Sequence, residues 1–186
     1  IPFNSIKVYD YRYKDEDFLI HDYFIAKSID LTKPGGIIAY ITTKGTMDKG
    51  DSSVRKYIAR RAEFIGALRL PNTAFKAIAG TEVTSDIIFL KKRAQPIEFS
   101  DQDYPDWIKT ELERAPKWIA YNLYFHRHPE MILGEMQPSR NMYGRDDGTA
   151  CIAPEGYDLY AEMEKAVGNL KSTFEAEPDL PPAKLP

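Results

Sequence analysis

The run Ile37-Ile38-Ala39-Tyr40-Ile41-Thr42 constrains this chain more than any other stretch. It is continuous, apolar and β-branched, and Lys33-Pro34-Gly35-Gly36 stands directly before it. Such a run fits a strand buried on both faces, as in a parallel sheet.

The flanking residues supply the rest of an α/β pattern. Before the run, Phe18, Ile20 or His21, Phe24, Ile25, Ile29 and Leu31 recur at helical spacing, and Lys33 to Gly36 ends that helix. Residues 43–51 read as a loop containing Gly and Lys. Asp51, Ser52 or Ser53 then caps a second helix that runs to about Ala62. Val54, Tyr57, Ile58 and Ala62 form its buried stripe, and Arg55, Lys56, Arg60 and Arg61 lie largely outside. Phe64 to Leu70 reads as a second strand stopped by Pro71, and Val83 to Leu90 as a third, ending in Lys91-Lys92-Arg93. A helical crossover predicts that the first two strands run parallel. The last two are joined by a loop without a helix, which predicts antiparallel pairing. The expected fold class is therefore α/β, with two parallel strands plus one antiparallel strand and flanking helices.

The remainder is less regular. Residues 4–17 read as a polar loop rich in Tyr and Asp. A short helix is expected from Asp106 to Arg114, and Trp118 to His126 is an aromatic segment. Residues 134–156 read as loop-rich. A helix is expected from Tyr157 to Phe174, with Leu159, Met163, Ala166, Val167 and Leu170 on its apolar face. Residues 175–186 are acidic and Pro-rich, the composition of a linker or tail. Three regions follow: 1–93, a mainly helical, loop-rich extension over 94–174, and the tail 175–186.

Charge divides the chain in the same place. Residues 1–93 carry 16 Lys+Arg against 11 Asp+Glu, and residues 94–186 carry 9 against 17. The basic half suits phosphates and the acidic half does not. Cys151 is the single cysteine, so no internal disulfide forms, which fits a reducing cytoplasm. In Thr149-Ala150-Cys151-Ile152 it reads as a packed residue. No apolar run approaches the ~20 residues that span a bilayer, so no membrane partner is expected.

In an open α/β fold, the loops after the strands' carboxyl ends hold ligands. Here these are Thr42-Thr43-Lys44-Gly45-Thr46 and Asn72 to Thr81. Each has small residues and a lysine, and the second adds Phe75. Phe75 reads either as a plug under the loop or as a surface on which a base rests. Gly35-Gly36 precedes a strand, whereas a phosphate loop follows one, and Lys44-Gly45-Thr46 lacks the upstream glycine of a P-loop. His126-Arg127-His128 has no further ligand pattern to complete a metal site, and none is expected.

Three stretches carry a resemblance: FLIHDYFIAKSIDLTKPGGIIAYITTKGTMD, VRKYIARRAEFIGALRLPNTAF and AGTEVTSDIIFLKKR. They resemble the C-terminal half of the catalytic domain of N-6 adenine DNA methyltransferases. The likeness is nearest to modification subunits of type I restriction systems and to the helicase–methylase fusion proteins of bacterial mobile elements. NLYFHRHPEMILGEM resembles the region that follows the methylase fold in the latter. The resemblance spans roughly residues 1–155 and implies a partial Rossmann-like methyltransferase sheet. It implies that Ile1, Pro2 and Phe3 end the catalytic motif Asn/Asp-Pro-Pro-Phe/Tyr, with Ile in place of the first Pro. The Ile1 carbonyl would accept from the adenine amino group, Phe3 would stack on the flipped base, and Phe75 would contact the base from its edge or other face. A base taken out of the duplex needs aromatic faces to replace its lost stacking. Lys44, Lys49 and Lys76 are the candidate DNA contacts.

The implied cofactor is S-adenosylmethionine, with its binding motifs expected upstream of this chain, so the isolated chain is expected to be inactive. The implied partners are DNA, the N-terminal half of the catalytic domain, and a helicase domain or specificity subunit. A homo-oligomer through an exposed sheet edge is a further expectation. Two other readings stand beside this one: a non-catalytic scaffold that docks a helicase or DNA-recognition subunit, and methylation of RNA or protein on a similar fold.

Overall fold

The computed structural model describes residues 8–113, 119–139 and 148–170. Its centre is a sheet of three strands: β1 (Ile37–Thr43), β2 (Ala62–Leu70) and β3 (Ser85–Lys92). The order across the sheet is β1-β3-β2, and β3 is antiparallel to both neighbours. β1 and β2 therefore point the same way, as the crossover between them predicts, but they do not touch. Every ladder between named strands is antiparallel. The two parallel-running strands and one antiparallel strand of the expected α/β pattern are present, in a mixed α/β arrangement of small antiparallel sheets with no parallel ladder between named strands.

Two helices cover one face. α1 (Ile20–Leu31) places Ile25, Ala26 and Ile29 inward, and Tyr40 Oη donates to the Ile25 carbonyl at 3.1 Å. α2 (Gly45–Asp48) is one turn within the loop after β1. α3 (Ser53–Arg61) follows, and its entry is fixed by Asp51, whose Oδ1 accepts from the Ser53 N–H at 2.9 Å and its hydroxyl at 2.6 Å. Val54, Tyr57, Ile58 and Ala59 of α3 are buried. So is Arg55, at 1% exposure, which corrects its expected outward position. Its guanidinium donates to the carbonyls of Ile108, Thr46 and Lys49 at 2.9, 3.1 and 2.8 Å. Those acceptors explain how a charge tolerates the interior.

β1 differs from its expected environment. Its burial alternates along the strand: Ile38, Tyr40 and Thr42 are buried, while Ile37, Ala39 and Ile41 are exposed. The register puts Ala39 beside Phe89 and Ile41 beside Ile87, and on the same face Gly66 and Leu68 of β2. The extension covers that face at the β2 side. A Cβ on Gly66 would come within 2.6 Å of Leu170 Cδ2 and 3.0 Å of Tyr124 Oη. At the β1 side the face is open, with Ile37, Ala39 and Ile41 exposed.

The extension also departs from expectation. It holds two hairpins where helix and loop were expected: β4 (Thr110–Glu113) with β5 (Ile119–Asn122), and β6 (Glu135–Ser139) with β7 (Gly148–Ile152). Within 106–114, Asp106–Ile108 is a 3-10 turn and the strand β4 follows. α4 (Lys76–Ala79) lies in the loop after β2, α5 (Leu123–Arg127) follows β5, and α6 (Leu159–Gly168) closes the described chain. Asp158 caps α6, accepting from the N–H groups of Tyr160 and Ala161. No helix among the described residues is long and apolar enough to cross a membrane.

This asymmetry of β1 is measurable. Ile41, half exposed, should tolerate Thr with a change within about 0.5 kcal/mol. Ile88, 2% exposed at the sheet centre, should lose roughly 2–5 kcal/mol on truncation to Ala. Urea unfolding of the two variants checks the contrast, and equal losses would mean that β1 is covered on both faces.

Candidate functional site

The register fixes where the two ligand-end loops emerge. Thr43 at the end of β1 and Leu70 at the end of β2 both pair with Ser85 at the start of β3. Residues 44–52 and 71–84 therefore leave the same end of the sheet, side by side. The Lys44 N–H donates to the Thr84 carbonyl at 3.2 Å and joins the two loops.

Below them lies a buried charged network that the motifs did not reveal. Arg69 on β2 has a fully buried side chain. Its Nε and Nη2 donate to Asp86 Oδ1 and Oδ2 on β3 at 2.8 and 2.9 Å, a two-pronged pairing. Nη2 also donates to Asp48 Oδ1 on α2 at 2.8 Å. The Phe125 ring lies 4.2 Å from the guanidinium carbon. Burial alone would lower the basicity of Arg69, but Asp48 and Asp86 outweigh it and hold the group more firmly protonated than usual. Asp48 Oδ1 accepts in addition from the Asn122 N–H at 3.0 Å, and Asn122 Nδ2 donates to the carbonyls of Met47 and Trp107 at 2.7 and 2.8 Å. The loop after β1 is thereby fastened to the extension. The visible signal was a charged residue inside each of two apolar strands, Arg69 in FIGALRL and Asp86 in SDIIFL. A buried charge needs a buried partner.

The residues expected at the site fall into distinct settings. Ile1, Pro2 and Phe3 lie outside the described residues. Phe75 sits at the N-cap of α4, half-buried against the core. Gly80 ends that turn at φ 64°, a conformation that favours glycine. Ile78 between them stands 88% exposed. Lys44 Nζ donates to Thr149 Oγ1 on β7 at 2.7 Å, and burial lowers its pKa. Lys49 Nζ donates to the buried Asp22 carboxylate at 2.8 Å. Lys76 is exposed and pairs with Glu82 at 2.6 Å. Of the lysines expected to meet DNA, Lys44 and Lys49 have internal partners and Lys76 stands in solvent.

The extension covers this end of the sheet. The Asn72 N–H donates to the Cys151 carbonyl at 2.8 Å, and the Cys151 N–H donates to Thr84 Oγ1 at 2.9 Å. The Leu133 N–H donates to the Arg69 carbonyl at 2.8 Å, and Ile132 bridges Arg69 in parallel. Cys151 is fully buried as a free thiol, and burial pushes it up to about 12. Among the described residues no cluster of His, Cys, Asp and Glu side chains could hold a metal ion.

Comparisons with known proteins are sparse. No protein-family profile matches the chain, and no solved structure matches it. The defense against restriction protein B of Escherichia phage P1 is 32% identical over 81 residues, which is 43% of this chain and 4% of the phage protein. The chain thus matches a small part of that relative's length. The relative's name denotes defence against restriction and not methyl transfer. The resemblance to N-6 adenine DNA methyltransferases is corrected accordingly: no comparison places the chain in that family.

Two outcomes follow from the buried network. Arg69→Met leaves Asp86 and Asp48 buried without their counter-charge and should cost roughly 3–5 kcal/mol in urea unfolding. A loss under about 1 kcal/mol would mean that the pair is solvated. Cys151 should resist alkylation in the native chain at pH 8 and react once guanidinium unfolds it. Rapid native labelling would contradict its buried place in β7.

Proposed function

We propose that this chain is a DNA-facing structural part of a larger protein that acts in restriction and modification of DNA. The observation that carries this reading is the joint emergence of the loops 44–52 and 71–84 at one sheet end, with Phe75 and Ile78 at the outer one. The name of the phage relative supports the restriction setting. The basic character of residues 1–93 supports contact with a polyanion.

The finer proposal concerns chemistry. The parent protein would transfer a methyl group from S-adenosylmethionine to the N6 amine of adenine in DNA. Strands β1 and β2 run in the same direction and open their carboxyl ends together, the end at which α/β sheets hold ligands, and this supports a catalytic use. In that reading Phe75 offers an aromatic surface to a base taken out of the duplex. The scaffold reading is favoured by a separate observation. Lys44, Lys49 and Arg69 are all turned to internal partners, so this end is held together before any ligand arrives.

One variant separates these readings. Loss of base stacking is worth ~1–3 kcal/mol, so Phe75→Ala in the long protein should lower transfer of radiolabelled methyl groups to DNA by roughly 5- to 150-fold. Its melting temperature should hardly move. A sharp fall in melting temperature with unchanged activity per folded molecule makes Phe75 a core plug. No labelled adenine with the unmodified long protein rejects the methyl-transfer proposal and leaves the scaffold.

A further inference from the structure

We infer that the β6–β7 hairpin is a clamp on the loop that carries Phe75, and that Thr84 is the positioning residue through which it acts. The inference rests on the reading that this loop faces substrate. Asn72 opens the loop and Thr84 closes it, and the backbone of one residue, Cys151, grips both. Its carbonyl accepts from the Asn72 N–H at 2.8 Å, and its N–H donates to the Thr84 hydroxyl at 2.9 Å. The Thr84 carbonyl in turn accepts from the Lys44 N–H, and Lys44 Nζ returns to β7 at Thr149. A closed circuit thus joins both ligand-end loops to one strand of the extension.

The joint is dry and closely built. Cys151 is fully buried, Thr84 is 4% exposed and Thr149 8%. A Cβ on Gly134 would lie 2.7 Å from Cys151 Sγ and 2.7 Å from the Ile152 carbonyl oxygen, so only glycine lets the incoming strand pass so close to β7. Between the stems the loop is anchored by Phe75, half-buried against the core, and by the exposed Lys76–Glu82 pair. Its residues 76–83 are exposed, and α4 is a single turn. The two stems, together with Phe75, therefore set its position. A threonine serves here because its hydroxyl accepts from a buried N–H that would otherwise have no partner.

Hydrogen exchange on the 186-residue chain tests the clamp without reference to activity. Thr84→Val keeps the shape and removes the acceptor. The amides of Asn72 and Ala79, bonded to Cys151 and Phe75, should exchange about 5- to 30-fold faster, the effect of one lost buried hydrogen bond. Those of Ile88 and Leu90 at the sheet centre should not change, and Thr84→Ser should restore the original rates. If only the Cys151 amide responds, or if loop and sheet amides accelerate together while Thr84→Ser restores neither, the clamp is overturned. In the long protein, Thr84→Val should raise KM for DNA at least 3-fold more than it lowers kcat, with recovery in Thr84→Ser. Faster loop exchange with unaltered kinetics would sustain the clamp and reject the substrate-facing role of the loop.

Discussion

The Arg69 guanidinium, buried between Asp86 and Asp48, is the interaction on which the rest of the structure hangs. An unpaired charge at that depth would cost several kcal/mol, so the chain must bring both carboxylates to it. Asp86 arrives because β3 lies antiparallel to β2 in the register that sets Arg69 opposite it. Asp48 arrives only if the loop after β1 folds back as α2. Phe125 of the extension then packs over the guanidinium, and Asn122 donates to the same Asp48 oxygen. One side chain thereby fixes the register, the loop and the docking of the extension.

The consequence is a sheet end whose first loop is fastened by internal partners. The loop after β1 is held by Arg55, Lys49, Asp48 and Lys44, each with an internal partner. The loop after β2 is held at its stems and by Phe75 against the core, and it presents Ile78 and Lys76 to solvent. The two loops thus differ in freedom although they leave the sheet together. Adaptable contacts belong on the second, and preorganised ones on the first.

Sequence patterning disclosed the elements better than their surroundings. The helices at 20–31 and 53–61 and the strands at 62–70 and 85–92 follow from periodicity and from Gly and Pro stops. The two-faced burial expected for Ile37 to Thr42 did not follow, because apolarity cannot tell a covered face from an open one on an edge strand. Arg55 was misplaced because helical spacing assigns a direction and not a carbonyl cage. The β6–β7 hairpin was hidden because Glu135 to Ser139 contains Gln137 and Pro138 and lacks an apolar alternation. Pro138 is tolerated because β6 pairs only with β7 among the described strands and so has an edge without a ladder. Phe75 and Lys44 were singled out through their loops, whereas the contacts of Thr84, Thr149 and Asn122 had no such signal. Thr84 and Asn122 bond main-chain groups 67 and 75 positions away, and Thr149 accepts from a lysine side chain 105 positions away, so none carries a local signal.

If Arg69 and its partners bind residues 8–93 to the extension, the described chain unfolds as one unit. Scanning calorimetry of the 186-residue chain decides this directly. A single endotherm whose calorimetric and van't Hoff enthalpies agree is the expected result. Two separated endotherms, with the extension melting first and the three-stranded sheet surviving, would contradict it and show that the buried charges do not couple the two halves.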